Sequence, residues 1–152
     1  MNIRLANKFD VTQVIELIHQ FQETNELPES LKTALDDTYL NKLFLHCILG
    51  AGLIYVAEVD KKLVGMIMGL KHPGLWFPSQ IVLKELMLFT VSEYQNQGIG
   101  SKLLIAYNNK AKELLETEQI SAYAVGVTDN LGKLDYAKYG YKKIEETWAI
   151  GL

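Results

Sequence analysis

The sequence predicts an α/β protein: a central mixed, mostly antiparallel sheet flanked by helices, in the order β-α-α-β-β-β-α-β-α-β. Three observations carry that expectation. Leu86-Met-Leu-Phe-Thr-Val91 is a run of long, branched and aromatic residues suited to a strand buried on both faces. It leads through Gly98 and Gly100 into a helical stripe of Leu103, Leu104, Tyr107, Ala111, Leu114 and Leu115. Leu40, Leu43, Phe44, Cys47 and Ile48 complete an i, i+3, i+4, i+7, i+8 stripe, which specifies a second amphipathic helix. Finally, the apolar runs Leu53–Val59 and Leu63–Leu70 are joined only by Asp60-Lys61-Lys62, a connection so short that the two strands must be antiparallel.

The remaining elements follow in order. Ile3 and Leu5 alternate with polar neighbours and predict a short first strand. Asp10 stands as N-cap of a helix with Val11, Val14, Ile15, Ile18 and Phe21 on one face. Residues 22–37 are polar, contain Pro28 and read as a loop with room for a short helical turn. Gly50 and Gly52 end the second helix. Residues 71–79 hold two prolines and are excluded as a central strand. After the long helix, Ile120–Val127 reads as a strand. Thr128 or Asp129 caps a short helix ending at Gly140, and Tyr141–Ile150 supplies a last strand or pair.

Composition bounds the function. The 152 residues predict one domain with a real core, and charged residues are not in excess. A net charge of −3 without a basic run argues against a nucleic-acid partner. The lone Cys47 reads as a buried thiol in a reducing compartment. The N-terminus lacks a signal-peptide core, and the apolar run 43–57 is too short and too interrupted to span a bilayer, so a cytoplasmic protein with no membrane partner is expected. Three scattered histidines and one cysteine predict no metal site.

A strand feeding a glycine-rich turn at a helix N-terminus presents unpaired N–H groups and the positive end of a dipole, which suits a phosphate-like anion. A phosphate loop of the Gly-Lys-Ser/Thr kind is excluded because no lysine precedes Ser101, and the third glycine of a dinucleotide fingerprint is missing. The spacing Gln95-x-x-Gly98-x-Gly100 resembles the Arg/Gln-x-x-Gly-x-Gly/Ala motif of the GNAT N-acetyltransferase superfamily. Tyr136-Ala-Lys-Tyr-Gly-Tyr141 resembles that family's late Tyr-x-x-x-Gly-Phe signature, and the element order is that of the GNAT fold.

The resemblance implies that the amides of Gln95, Asn96, Gln97, Gly98, Ile99, Gly100 and Ser101 hold the pyrophosphate of acetyl-coenzyme A. It implies that backbone groups of Leu88, Phe89, Thr90 and Val91 pair along the pantetheine arm and contact the oxyanion, their side chains only packing. Tyr136 would protonate the departing thiolate; the other reading is a surface or partly buried tyrosine. On the helix expected over Asp129–Lys138 it projects away from the stripe of Leu131, Leu134 and Ala137.

Glu85 is the candidate base. Strand alternation places it with Met87, Phe89 and Val91, where burial would raise its pKa; the other reading is the solvated start of the strand. The chain departs from the family pattern at Met87, where many members carry an acid, at Gln95, where arginine is commoner, and at Gln97, which replaces a frequent base. The family's asparagine falls at Asp129, beside Asn130. Trp76 and Phe77 precede the central strand and are candidates for binding an apolar or cationic acceptor, or for a core or dimer contact. The acidic residues Glu23, Glu26, Glu29, Asp36 and Asp37 could attract a cation or form a solvated loop.

Together these readings describe an acetyl-CoA-dependent N-acetyltransferase acting on a small-molecule primary amine by direct transfer in a ternary complex. Acetylation of a protein lysine or N-terminus is the second enzymatic reading. A toxin-like action on aminoacyl-tRNA would want a basic surface, and a non-catalytic acyl-CoA-binding module fits the loop equally well. A homodimer is compatible with the sequence.

Overall fold

The computed structural model describes residues 1–24, 35–74, 76–126 and 134–144. Its centre is one five-stranded sheet: β1 (Asn2–Leu5), β2 (Gly52–Val59), β3 (Lys62–Pro73), β4 (Ile81–Thr90) and β5 (Ala122–Ala124), in that spatial order. The first three pairings are antiparallel and β4–β5 is parallel. Helices α1 (Val11–Thr24) and α2 (Asp37–His46) cover one face, where Val14, Leu17 and Phe44 pack on Val56, Met66 and Phe89. Helix α3 (Ile99–Glu116) covers the other, with Leu103, Leu104 and Tyr107 on Val64, Ile67 and Leu83. Both faces of β3 are thereby closed, and Leu63 to Gly69 are all buried.

Several local expectations are refined. The β2–β3 turn places Asp60 (φ 50°) and Lys61 (φ 66°) in the left-handed region, which a tight two-residue hairpin requires. Strand β3 runs on through Lys71-His72-Pro73, residues that the two prolines of 71–79 excluded from a central strand. The proline is tolerated because β2 pairing stops at Gly52↔Leu70, so Pro73 has β4 alone as neighbour. Asp10 precedes α1, but its carboxylate is taken by Arg4 Nη1 (2.7 Å), Arg4 Nη2 (2.8 Å) and the Asn7 N–H (2.7 Å). It thus ties β1 to the helix entry instead of capping with its side chain. Helix α2 is capped by Asp36, which accepts from the Tyr39 N–H, and it unwinds through a π-turn (Cys47–Ala51) at Gly50 (φ 120°).

At the carboxyl-terminal side the described residues hold less regular structure than expected. The strand read over Ile120–Val127 is only Ala122–Ala124 among the described residues. The short helix read from Asp129 appears as a single 3-10 turn, Tyr136–Tyr139, ended by Gly140 in the left-handed region; Thr128, Asp129, Asn130 and Leu131 lie outside the described residues. Tyr141–Ile144 form no strand, and 145–150 also lie outside.

Candidate active site

The site is built where β4 parts from β5. Their parallel pairing covers three positions, Val82↔Ala122, Leu83↔Tyr123 and Lys84↔Ala124, and then stops. From Glu85 onward β4 is paired with β3 alone among the described residues, and the parting from β5 at Val125 and Gly126 begins a wedge on its other edge. The Val91 N–H donates to the Val64 carbonyl at 3.0 Å. By antiparallel alternation, the N–H groups of Leu88 and Thr90 then point away from β3, into the wedge. Val91, expected among the four donors, is therefore occupied, and Phe89 alternates with it toward β3. Leu88 packs on the α3 side, and Phe89 is buried on the α1 side, edge-on to Phe21 with centroids 5.6 Å apart.

A bulge sets the chemistry of the wedge. Met68 pairs with Met87 but Gly69 pairs with Glu85, leaving Leu86 as the extra residue, 51% exposed. The bulge reverses side-chain alternation, so Glu85 does not share a face with Met87, Phe89 and Val91 as expected. Those three pack toward α1 and α2, while Glu85 joins Leu83 on the α3 face. Glu85 is only 6% exposed, which excludes the solvated strand start. Burial pushes its carboxyl from an ordinary 4.5 up to about 7, against the pull of the Gly126 N–H, which donates to Oε2 at 3.1 Å.

Tyrosines gather round that carboxyl. Tyr136, at the start of the 3-10 turn, is half-buried; desolvation and then the Glu85 charge raise its pKa. It meets Tyr141 edge-on at 6.1 Å, and Tyr141 meets Tyr123 likewise at 5.7 Å. The Tyr141 hydroxyl donates to Asn108 Oδ1 (3.3 Å), and Asn108 Nδ2 donates to the Tyr139 carbonyl (3.4 Å), which fastens the turn to α3. Tyr136 therefore packs on the same cluster as Leu134 instead of projecting away from it; a four-residue 3-10 turn does not follow the α-helical wheel. The structure thus brings the two candidate catalytic residues, Glu85 and Tyr136, into electrostatic contact. Sequence reasoning missed the polar part played by Tyr141 and Asn108. The available signal was an asparagine beside Tyr107 on an otherwise aliphatic helix stripe.

Beyond β4 the chain makes a 3-10 turn (Ser92–Tyr94) and then the glycine loop. Gln95 Nε2 donates to the Thr90 carbonyl (3.0 Å) and Gln97 Nε2 to the Glu93 carbonyl (3.1 Å), so both glutamines brace the bend. The Gln95 N–H is used by Ser92. Asn96 (φ 60°) and Gly98 (φ 74°) are left-handed, and α3 begins at Ile99. The first helical bond runs from the Lys102 N–H to the Gly98 carbonyl, so the N–H groups of Ile99, Gly100 and Ser101 have no acceptor in the helix. A Cβ at Gly98 or Gly100 would meet nothing within 4 Å, and no acid stands in the first turn of α3. Free donors, open space and a dipole end with no opposing charge fit a diphosphate.

The other candidates are placed apart. Trp76 (81% exposed) and Phe77 (62%) sit on the β3–β4 hairpin, closed by the Gly74 N–H to the Gln80 carbonyl (2.6 Å). That hairpin adjoins the Ile81 end of β4, about 13 Å of strand from Glu85 and opposite to the glycine loop. Of the acidic residues, Asp36 caps α2 and Asp37 meets His19 Nε2 at 2.8 Å; Glu26 and Glu29 lie outside the described residues. Burial pushes the Cys47 thiol up to about 11, leaving it unreactive. Among the described residues no helix is long and apolar enough to cross a membrane.

The family profile described as "Acetyltransferase (GNAT) domain" matches residues 50–143, from the end of the π-turn to the close of the tyrosine cluster. The chain belongs to the GNAT acetyltransferase family. It is an acyltransferase whose cosubstrate is acetyl-CoA. Solved structures share the fold at low identity. A predicted acetyltransferase from Clostridium acetobutylicum, determined with acetyl-CoA, is 18% identical with a TM-score of 0.72, covering 99% of this chain and 95% of that one. An aminoglycoside acetyltransferase from an uncultured soil metagenomic sample is 20% identical with a TM-score of 0.70, again covering 99% and 95%. The ribosomal-protein-alanine N-acetyltransferase of Brucella melitensis is 16% identical with a TM-score of 0.62 over the whole of both chains. None of the curated protein sequences compared with the chain matches it.

Proposed function

We propose that this single-domain GNAT enzyme transfers the acetyl group of acetyl-CoA to a primary amine on a small molecule, directly, within a ternary complex. The observation that carries the reading is the buried Glu85 carboxyl, held near neutrality at the residue where β4 and β5 separate. An alkylammonium must lose a proton before it attacks a thioester, and a base with a pKa of about 7 removes it at neutral pH, worth roughly 10²–10⁴-fold. Glu85 does so directly or through water. The N–H groups of Leu88 and Thr90 donate to the developing oxyanion, and Tyr136 protonates the leaving thiolate. Trp76 and Phe77 form the outer rim on the acceptor side.

The aminoglycoside acetyltransferase with a similar fold, one structure of which holds sisomicin, supports a small polar amine as acceptor. The similar fold of the ribosomal-protein-alanine enzyme favours the second reading, a protein N-terminus. Thiol release from acetyl-CoA against polyamines, aminoglycosides, amino acids and N-terminal peptides separates the two. In the same assay Tyr136→Phe lowers kcat and leaves coenzyme affinity unchanged; an unchanged kcat removes Tyr136 from the mechanism.

A further inference from the structure

The hydroxyl of Tyr107 has no structural reason to be there. It is completely buried beneath the sheet and has no hydrogen-bond partner among the described residues. A phenylalanine of the same shape would fill the space without an unpaired polar atom. The fold nevertheless makes room for this oxygen at one point, because residue 69 is glycine. A Cβ at Gly69 would overlap the hydroxyl and lie 3.0 Å from both the ring carbon Cζ and the Lys84 carbonyl oxygen. Gly69 is also the register partner of Glu85 across the bulge. Cross-strand partners project to the same face, so the hydroxyl and the carboxyl stand on one face of the sheet at one level. Of the two carboxyl oxygens, Oε2 accepts from Gly126, while Oε1 has no hydrogen-bond partner among the described residues.

We propose that Tyr107 is a positioning residue for Glu85: its buried hydroxyl is the donor that Oε1 takes up when the carboxyl ionises, directly or across one bound water. The inference rests on the reading of Glu85 as the base and adds what holds it. With both oxygens hydrogen-bonded, the carboxylate keeps one orientation at the edge of the wedge, and its charged form is favoured over the neutral one. Among the described residues the other groups facing Glu85 are neutral. Tyr136 comes from the 3-10 turn, Tyr141 from the segment after it, and the Gly126 N–H from beyond β5. Strand β3 offers only Gly69, and Lys84 is exposed on the opposite face of β4. The Glu85 charge is felt at Tyr107, as the geometry requires.

The test is a carbon-13 NMR titration of the Glu85 carboxyl in the wild-type chain and in Tyr107→Phe. Loss of the donor should raise the midpoint by about one pH unit, an about tenfold change in proton affinity. The acid limb of the kcat/KM–pH profile should move by the same amount, with KM for acetyl-CoA unchanged. An unmoved midpoint overturns the proposal. The wild-type chain gives a second reading: the Tyr107 Cζ resonance should inflect at the Glu85 midpoint, and its absence also overturns the proposal. Failure of Glu85 as base shows differently, as full activity in Glu85→Gln while the Tyr107 resonance of the wild-type chain still inflects at the Glu85 midpoint.

Discussion

Replacing Glu85 by Gln removes a carboxyl that the fold holds against its own ionisation. Folding lifts the pKa from 4.5 to about 7 because the site is dry, so the native state binds a proton more tightly than the unfolded chain. A raised pKa contributes stability that is complete below the unfolded value of 4.5 and lost as pH rises through 7. At about 1.4 kcal/mol per pH unit the loss amounts to about 3 kcal/mol between pH 4.5 and pH 8.5. Glutamine keeps the shape, still accepts from the Gly126 N–H and carries no proton to lose. Urea unfolding of both proteins across that range isolates the effect, because contributions from other groups cancel in the difference. Asp10 is one such group: Arg4 lowers its pKa, and its contribution disappears as pH falls. The stability of Glu85→Gln relative to wild type should climb by about 3 kcal/mol toward pH 8.5, or about 6–12 °C in Tm for a chain of this size. Parallel curves would refute the claim that Glu85 is desolvated in the native state. The same variant should acetylate more slowly, so the carboxyl costs stability where it serves turnover.

Further outcomes follow from the loop, the β1 anchor and the sheet. Gly100→Val should weaken coenzyme binding at least about tenfold in calorimetry, since its side chain enters the open space before the amides, while Tm stays within about 2 °C because Gly100 has no positive φ. Gly98→Ala, at φ 74°, should in addition lose about 1 kcal/mol of stability from left-handed backbone strain. Arg4→Met strands the buried Asp10 carboxylate and releases Glu58; we expect a loss of about 2–3 kcal/mol at pH 7 that shrinks below pH 4 as Asp10 protonates. Gly52→Ala drives a Cβ to 2.5 Å from the Gly69 carbonyl oxygen, a backbone atom that cannot step aside, so denaturant unfolding should show a loss of 2 kcal/mol or more, to order of magnitude.

The parts of this molecule that were legible in sequence are those ruled by periodicity and by glycine. The stripe on α2, the tight β2–β3 connection and the bend at Gly98 and Gly100 needed no tertiary information. The face of Glu85 did, since it depends on one extra residue in β4. Nothing in Lys84-Glu85-Leu86-Met87 announces a bulge, and counting by twos across it puts the carboxylate on the wrong side. The tyrosine cluster was hidden for a related reason. Tyr123, Tyr136 and Tyr141 belong to three segments whose meeting is decided by where β5 stops. Tyr107 read correctly as core, because periodicity reports burial and is blind to whether a buried oxygen has a partner.

The bend between β4 and α3 is braced by two neutral amides, Gln95 on the Thr90 carbonyl and Gln97 on the Glu93 carbonyl, with no cation from Gln95 through Ser101. Its shape is therefore indifferent to ionic strength, and for a diphosphate bound there the bend itself offers peptide dipoles at short range, with Lys102 the one cation in the helical turn that follows. Coenzyme affinity in this chain should fall only shallowly as sodium chloride is raised, where an arginine-lined cradle would lose its grip steeply.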